Sequence, residues 1–85
     1  MITILYSSEF KKSIKKYSSY QEQIKKRIQI FQKDPYDPRL KTHKLTGELH
    51  PYLAFSITYH IRILFEFIDE TTAGFIDIGT HDIYN

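Results

Sequence analysis

The hydrophobic residues of this chain repeat with two different periods, and the change between them falls near the middle. Before Pro35 they recur every three or four positions, as on one face of an α-helix. After Gly47 they alternate with polar residues, as on a β-strand whose two faces differ. A chain of 85 residues buries only one core, so the two halves must share it. The pattern predicts a single α+β domain covering residues 1–85.

The first half predicts one short strand, Met1–Tyr6, followed by two amphipathic helices. Ser7 or Ser8 can cap the first helix, which breaks near Ser18, and the second helix stops before Pro35. The apolar positions are Phe10, Ile14 and Tyr17 in the first helix and Tyr20, Ile24, Ile28 and Phe31 in the second. The short link between them predicts a helical hairpin whose apolar face needs a common partner.

The second half supplies that partner as three strands in an antiparallel meander. The predicted strands are Leu53–Thr58, Ile61–Ile68 and Phe75–Thr80, and we expect Ile76 and Ile78 to point inward and Phe75 outward. The segment before them, Pro35–Gly47, is expected to be an irregular basic loop. The predicted fold is therefore β-α-α-β-β-β, with the helical hairpin on one face of a mostly antiparallel four-stranded sheet.

Alternation along these strands predicts which polar side chains share a face. If the helices cover the face of Phe55 and Ile63, the side chains of Ser56 and Arg62 lie on the opposite, open face. Glu66 and Asp77 fall on that face too, and His81 comes directly after the last strand. We expect a functional site there.

Charge is divided unevenly along the chain. Residues 11–44 hold eleven of the twelve basic residues and three acidic ones, a local charge of +8. Residues 45–85 hold one basic residue, Arg62, and six acidic ones, a local charge of −5. The basic half suits a polyanion, although solvated helix faces would give the same count.

Three groups of residues are candidates for chemistry, and each has a purely structural alternative. Arg62 in an apolar strand is either the partner of Glu66 or Asp77 in an ion pair, or a clamp for a phosphate. His81 and Tyr84 are either exposed or packing residues, or a proton donor and a stacking ring. The loop Lys41–Lys44, which includes His43, is either a solvated connection or a phosphate-binding segment with a possible general base.

Several other classes of protein are not expected from the sequence. No cysteine is present, and the four histidines lack the close spacing of zinc sites, so we expect neither a metal nor a cofactor. Met1–Tyr6 is too short for the apolar core of a signal peptide, and the longest apolar runs have the length of strands. These features predict a cytoplasmic protein without a membrane span.

Four segments together resemble the RelE/ParE toxin superfamily, especially its YoeB-like and YafQ-like branches. The segments are Leu40–Gly47 (LKTHKLTG), Ala54–Ile57 (AFSI), Ile61–Phe65 (IRILF) and Ile78–Tyr84 (IGTHDIY). With the leading strand and helical hairpin, the resemblance extends over nearly the whole chain. It implies the toxin of a type II toxin–antitoxin pair, a metal-independent endoribonuclease that cleaves mRNA at the ribosomal A site. The implied partners are a cognate antitoxin, mRNA and the 70S ribosome.

The resemblance also implies roles for individual residues. Arg62 matches the strand arginine that holds the phosphate, and His81 matches the carboxyl-terminal catalytic position and would be the general acid. His43 matches a loop histidine of YafQ-like members, and Tyr84 the aromatic residue that ends the motif. The residues expected to contact RNA are Lys41, Lys44, Ser56 and Asp82.

Two positions depart from the pattern of the family. Ser56 stands about where YafQ-like members have a second catalytic histidine, and the glutamate base of YoeB-like members has no clear match. The base is therefore either His43 or a group of the substrate. Two other functions remain open: a ParE-like inhibitor of DNA gyrase with no nuclease activity, and a small RNA-binding module with no catalysis.

Overall fold

The structure is a computed structural model that describes residues 1–47 and 51–82. These residues form nine helical and strand elements. They are β1 (Thr3–Tyr6), α1 (Ser8–Ser13), a 3₁₀ segment (Ile14–Tyr20), α2 (Gln21–Lys33), a 3₁₀ turn (Pro38–Leu40), β2 (His43–Lys44), β3 (Leu53–Ser56), β4 (Ile61–Asp69) and β5 (Thr72–Thr80). No helix within the described residues is long and apolar enough to cross a membrane.

The strands form one mixed sheet in the order β1-β5-β4-β3-β2. The predicted α+β fold is confirmed, and so are the antiparallel pairings of β3 with β4 and of β4 with β5. The first strand joins the far edge, where β1 runs parallel to β5. The predicted number of strands was wrong, because the described residues contain five strands instead of four.

The fifth strand lies inside the segment that we predicted to be an irregular loop. Asp37 caps the 3₁₀ turn, and the turn ends at Lys41, whose backbone is in the left-handed region (φ 53°). The Thr42 hydroxyl then donates to the carbonyl of Pro35 (2.6 Å), which holds the loop against itself. From there His43 and Lys44 pair with Ala54 and Leu53 as β2, a strand too short to leave any periodic signal in the sequence.

The helical region begins as predicted but does not continue as two plain α-helices. Ser7 caps α1, because its hydroxyl accepts from the Phe10 amide (2.9 Å) and satisfies one of the free donors of the first turn. After Ser13 the chain tightens into the 3₁₀ segment, which kinks at Tyr17 (φ −116°, ψ 28°). The chain then becomes α-helical again, and α2 ends at Lys33, just before Pro35.

One continuous hydrophobic core lies between the helices and the sheet. Phe31 of α2 is fully buried, and its ring stacks on Phe55 (4.8 Å) and meets Phe65 edge to face (4.9 Å). Phe10 of α1 reaches the same core and contacts the Phe75 ring (5.6 Å). The predicted inward positions Phe55 and Ile63 are thus confirmed, and burial of these rings is the main source of stability.

A β-bulge in β5 reverses part of the predicted alternation. Leu64 pairs with Asp77 and Phe65 with Phe75, so Ile76 has no residue opposite it on β4. Phe75 therefore points into the core, whereas Ile76 packs on the other face against Leu64. Our predicted directions for Phe75 and Ile76 were wrong, because one extra residue shifts the strand parity, while Ile78 does point inward.

The second face of the sheet is not fully open. Leu45, Ala54 and Leu64 form a small second cluster there, against which Tyr52 and Ile76 pack. Ser56, which we expected on an open face, is only 7% exposed. The site must therefore occupy the part of this face that the small cluster leaves uncovered.

Candidate functional site

A cleft of about 180 Å³ lies where the β3–β4 turn meets α2 and the 3₁₀ turn. Its lining residues are Arg27, Arg39, Lys41, Ser56, Ile57, Thr58, Tyr59 and Arg62. Half of them are cations, contributed by four different parts of the chain. Converging positive charge in a concave site attracts anions strongly. The cleft is therefore suited to binding a phosphate group.

Arg62 is the cation of this cleft that the sheet positions most firmly. It lies in β4 between two paired neighbours, Ser56 on β3 and Gly79 on β5. Its Nε is buried and has no hydrogen-bond partner among the described residues. A buried polar group without a partner costs about 1–3 kcal/mol. An anion bound in the cleft is a suitable acceptor for this group.

His43 lies beside Arg62 and is oriented from its other side. Nη1 of Arg62 donates to Nε2 of His43 (3.4 Å), and Nδ1 of His43 lies 3.0 Å from the carbonyl oxygen of Lys41. A guanidinium has no acceptor, so the first contact requires an unprotonated Nε2. Nδ1 then carries the hydrogen and donates it to the Lys41 carbonyl. In this tautomer the lone pair of Nε2 accepts from Arg62, and once released it can act as a general base.

His81 follows β5 and continues its pairing with β4 by one residue. Its amide donates to the carbonyl of His60 (2.8 Å), as an extension of the register in which Arg62 faces Gly79. His81 is two positions after Gly79, so it lies on the same side of the sheet as Arg62. Diagonal neighbours of this kind are roughly 7–8 Å apart. This spacing can accommodate one phosphodiester between the two side chains.

The imidazole of His81 has one exposed partner and one buried, unpartnered atom. Nε2 lies 3.4 Å from Oδ1 of Asp82, whose side chain is largely exposed. Nδ1 is buried and has no hydrogen-bond partner within residues 1–47 and 51–82. Among the described residues, Nε of Arg62 and Nδ1 of His81 are the buried side-chain atoms that lack a hydrogen-bond partner. Because an imidazole can both donate and accept a proton, His81 is a candidate for acid–base catalysis.

Arg39 differs from Arg62 because its charge is paired. Its Nε and Nη2 donate to the two carboxylate oxygens of Asp37 (3.0 and 2.9 Å). These side-chain hydrogen bonds, with a further bond from the Arg39 amide, lower the pKa of Asp37 to about 2. Nη1 of Arg27 also donates to the Arg39 carbonyl. The outer end of the cleft is thus partly neutralised, and Arg62 carries the less compensated charge.

The structure places the other predicted residues unequally. Lys41 and Ser56 line the cleft beside Arg62. Lys44 lies on β2 with an exposed side chain, and Asp82 contacts His81. Tyr84 lies outside the described residues.

The sequence analysis missed two cations and one aromatic residue that line the cleft. Arg27 belongs to a helix in which lysines and arginines are common, and Arg39 lies in the loop that we predicted to be irregular. Tyr59 lies between the predicted strands Leu53–Thr58 and Ile61–Ile68, in a link to which we assigned no function. Its ring is 75% exposed and contacts the ring of His81 (5.6 Å). An aromatic residue in a predicted turn is the sequence signal that would have identified Tyr59.

Two further observations limit other interpretations of the surface. A larger groove of about 590 Å³ lies over the kinked 3₁₀ segment and α2, but Lys25 is the one charged residue in its lining. It is away from Arg62, His43 and His81. Within the described residues, no group of three or more His, Cys, Asp or Glu side chains is arranged to hold a metal ion.

Comparison with known proteins finds similarity in structure alone. No protein-family model and no curated protein sequence matches the chain. YafQ of Escherichia coli superposes with a TM-score of 0.79 at 17% identity, over 99% of this chain and 98% of that one. A metal-bound toxin from Helicobacter pylori superposes with a TM-score of 0.78 at 20% identity, over the full length of both chains. A YoeB/ParE toxin from Agrobacterium tumefaciens superposes with a TM-score of 0.75 at 15% identity, over 94% of this chain and 99% of that one.

These similarities establish the fold. The chain has the RelE/YafQ-like toxin fold over nearly its entire length, as the sequence resemblance implied. At such low identity they leave the chemistry of the site to be argued from its own residues.

Proposed function

We propose that this protein is the toxin of a type II toxin–antitoxin pair and acts as an endoribonuclease on mRNA. The observation that carries the proposal is the position of Arg62, which lies in a cation-lined cleft beside His43 and on the same side of the sheet as His81. Transfer of a phosphoryl group within RNA needs a base, an acid and stabilisation of the phosphoryl oxygens. These side chains supply all three without a metal ion.

In the proposed reaction the 2′-hydroxyl of the RNA attacks the adjacent phosphorus. Nε2 of His43 takes the proton of that hydroxyl, and Arg62 binds the phosphoryl oxygens as their negative charge grows. The O2′–P bond forms and the P–O5′ bond breaks, while His81 gives a proton to the leaving O5′. The products are a 2′,3′-cyclic phosphate and a 5′-hydroxyl.

Binding of the phosphate itself prepares the base for this step. Nη1 of Arg62 donates to Nε2 of His43 in the free protein. When the guanidinium turns to the stronger acceptor, a phosphate oxygen, the lone pair of Nε2 becomes available. For the two proton transfers, His43 must then be neutral and His81 protonated.

The proposed partners are an antitoxin protein, mRNA and the 70S ribosome, with cleavage at the A site. The antitoxin is supported by the fold, since YafQ has been solved in the DinJ–YafQ toxin–antitoxin complex (TM-score 0.76, 18% identity). The charge of +8 on residues 11–44 supports binding to a large nucleic-acid surface such as that of the ribosome.

The test compares RNA cleavage by the purified wild type, Arg62→Ala and His81→Ala in the presence of ribosomes programmed with mRNA. Each substitution is expected to slow cleavage by about 100-fold or more, because each removes a group that acts in the transition state. Glu70→Ala, which removes an exposed charge between β4 and β5 that does not line the cleft, is the control and should cleave normally. Circular dichroism and thermal unfolding show whether each variant is folded.

The alternatives give different results in the same assays. Inhibition of DNA gyrase supercoiling without RNA cleavage would identify a ParE-like toxin. RNA binding that is unaffected by His81→Ala, with no cleavage by the wild type, would identify a binding module.

A further inference from the structure

The turn between β3 and β4 carries a large aromatic ring that contributes little to the core. Tyr59 is 75% exposed at this turn. Its ring meets that of His60 edge to face (5.0 Å) and lies tilted against that of His81 (5.6 Å). Two imidazoles therefore contact the ring, while most of its surface is accessible to a ligand.

The backbone beneath Tyr59 is firmly fixed. The Thr58 hydroxyl accepts from the amides of both His60 and Ile61 (3.2 Å each). The Ile57 amide donates to the carbonyl of Ile61 (2.8 Å) and closes the turn. These bonds hold Tyr59 at a defined position, which lowers the entropic cost of using its ring to bind a ligand.

Tyr59 also connects the two halves of the candidate site. It lines the cleft with Arg62, Arg27 and Lys41, and its ring touches His81. Tyr59 is thus adjacent both to the cations and to His81. Phosphate binding and a flat apolar surface occur together in sites for nucleotides, because a nucleotide presents an anion and a flat base one after the other.

We propose that Tyr59 stacks on a nucleobase of the RNA next to the phosphate held by Arg62. The stack orients the strand so that the 2′-hydroxyl and O5′ lie between His43 and His81. Every base has a flat face, so Tyr59 supplies affinity and position with little sequence preference. This inference rests on the proposed function, since it requires RNA in the cleft.

The test measures binding of a short 2′-O-methyl RNA, which cannot be cleaved, by fluorescence anisotropy. Tyr59→Ala is expected to weaken binding about tenfold, because one base loses its stacking partner. Tyr59→Phe should bind like the wild type, since stacking needs the ring and not the hydroxyl. Tyr36→Ala is the matched control: Tyr36 is also exposed, at 58%, but it packs on Phe67 instead of lining the cleft.

A second RNA series separates stacking from an indirect effect through His81. A single abasic site is moved along the strand, and one position is expected to weaken binding to the wild type about tenfold but to leave binding to Tyr59→Ala unchanged. If Tyr59→Ala instead weakens every abasic strand as much as the intact one, the ring acts only through the shape of the site and the proposal fails.

Failure of this proposal can be told apart from failure of the proposed function. If Tyr59→Ala binds like the wild type while Arg62→Ala loses binding, RNA occupies the cleft but does not stack on Tyr59. If the wild type and Arg62→Ala bind this RNA equally weakly, the cleft does not hold the phosphate beside Tyr59 and the stacking proposal fails, while the proposed function is decided separately by the cleavage assay with ribosomes.

Discussion

One face of the sheet is packed beneath the helices, whereas the other is divided between a small hydrophobic cluster and the cationic cleft. The first face joins Phe31, Phe55, Phe65 and Phe75 into one aromatic core. The second buries Leu64 with Leu45 and Ala54, and Arg62 lies beyond this cluster. The same strands supply both faces by alternation. The elements that cover each face determine whether it stabilises the fold or binds a ligand.

The largest expected effect is on the core face, where Phe31→Ala removes a ring with three aromatic neighbours. We expect the free energy of unfolding to fall by about 3–5 kcal/mol, because the lost burial leaves a cavity. Leu64→Ala in the small cluster should cost about 2 kcal/mol, since it has fewer buried neighbours to lose. Urea titrations followed by circular dichroism measure both values. Equal losses would show that the two faces contribute alike and would remove the contrast between them.

A smaller effect of the opposite sign is expected on the second face. Arg62→Met keeps the length of the side chain and removes the unpartnered Nε, so the free energy of unfolding should stay the same or rise by about 1 kcal/mol. RNA cleavage should be lost at the same time. Ile63→Met is the control on the same strand: it faces the core and should lower stability by up to about 1.5 kcal/mol. Marked destabilisation by Arg62→Met would mean that Arg62 supports the fold.

The smallest effect concerns the outer end of the cleft and is lost in acid. The pKa of Asp37 is lowered from 3.8 to about 2 by its bonds to Arg39, so the pair stabilises the folded state above about pH 4. This contribution should disappear as the pH falls from 4 to 2. Asp37→Asn should remove that part of the pH dependence, measured as the urea midpoint at a series of pH values. An unchanged acid profile in the variant would show that other carboxyl groups account for it.

The sequence predicted the core face of β3 and β4 correctly because alternation is an uninterrupted property of those strands. Phe55, Ile63 and Phe65 all point where a period of two places them. The sequence did not predict the direction of Ile76 correctly. A bulge depends on the pairing with the neighbouring strand and leaves no trace in the composition of its own strand. The two-residue strand β2 was missed for a related reason, since its existence depends on Ala54 and Leu53 being opposite.

The candidate site was predictable only in its central residues. Arg62 was identifiable because a guanidinium is unusual in an apolar strand, and the resemblance assigned roles to His43 and His81. Arg27, Arg39 and Tyr59 reach the cleft through the packing of α2, the 3₁₀ turn and the β3–β4 turn, which no local pattern encodes. The roles of all these residues remain predictions until the variants are assayed.

The parallel pairing of β1 with β5 has a consequence for how the protein is made. Thr3 is paired with Thr72, and the Ser7 hydroxyl that caps α1 also donates to the carbonyl of Ile76 in the bulge (2.6 Å). The first strand to leave the ribosome must therefore wait for the last one before the sheet can close. Contacts so distant in sequence slow folding. During translation, the ribosome would accordingly carry a nascent chain in which the folded sheet does not yet fix the relative positions of Arg62 and His81.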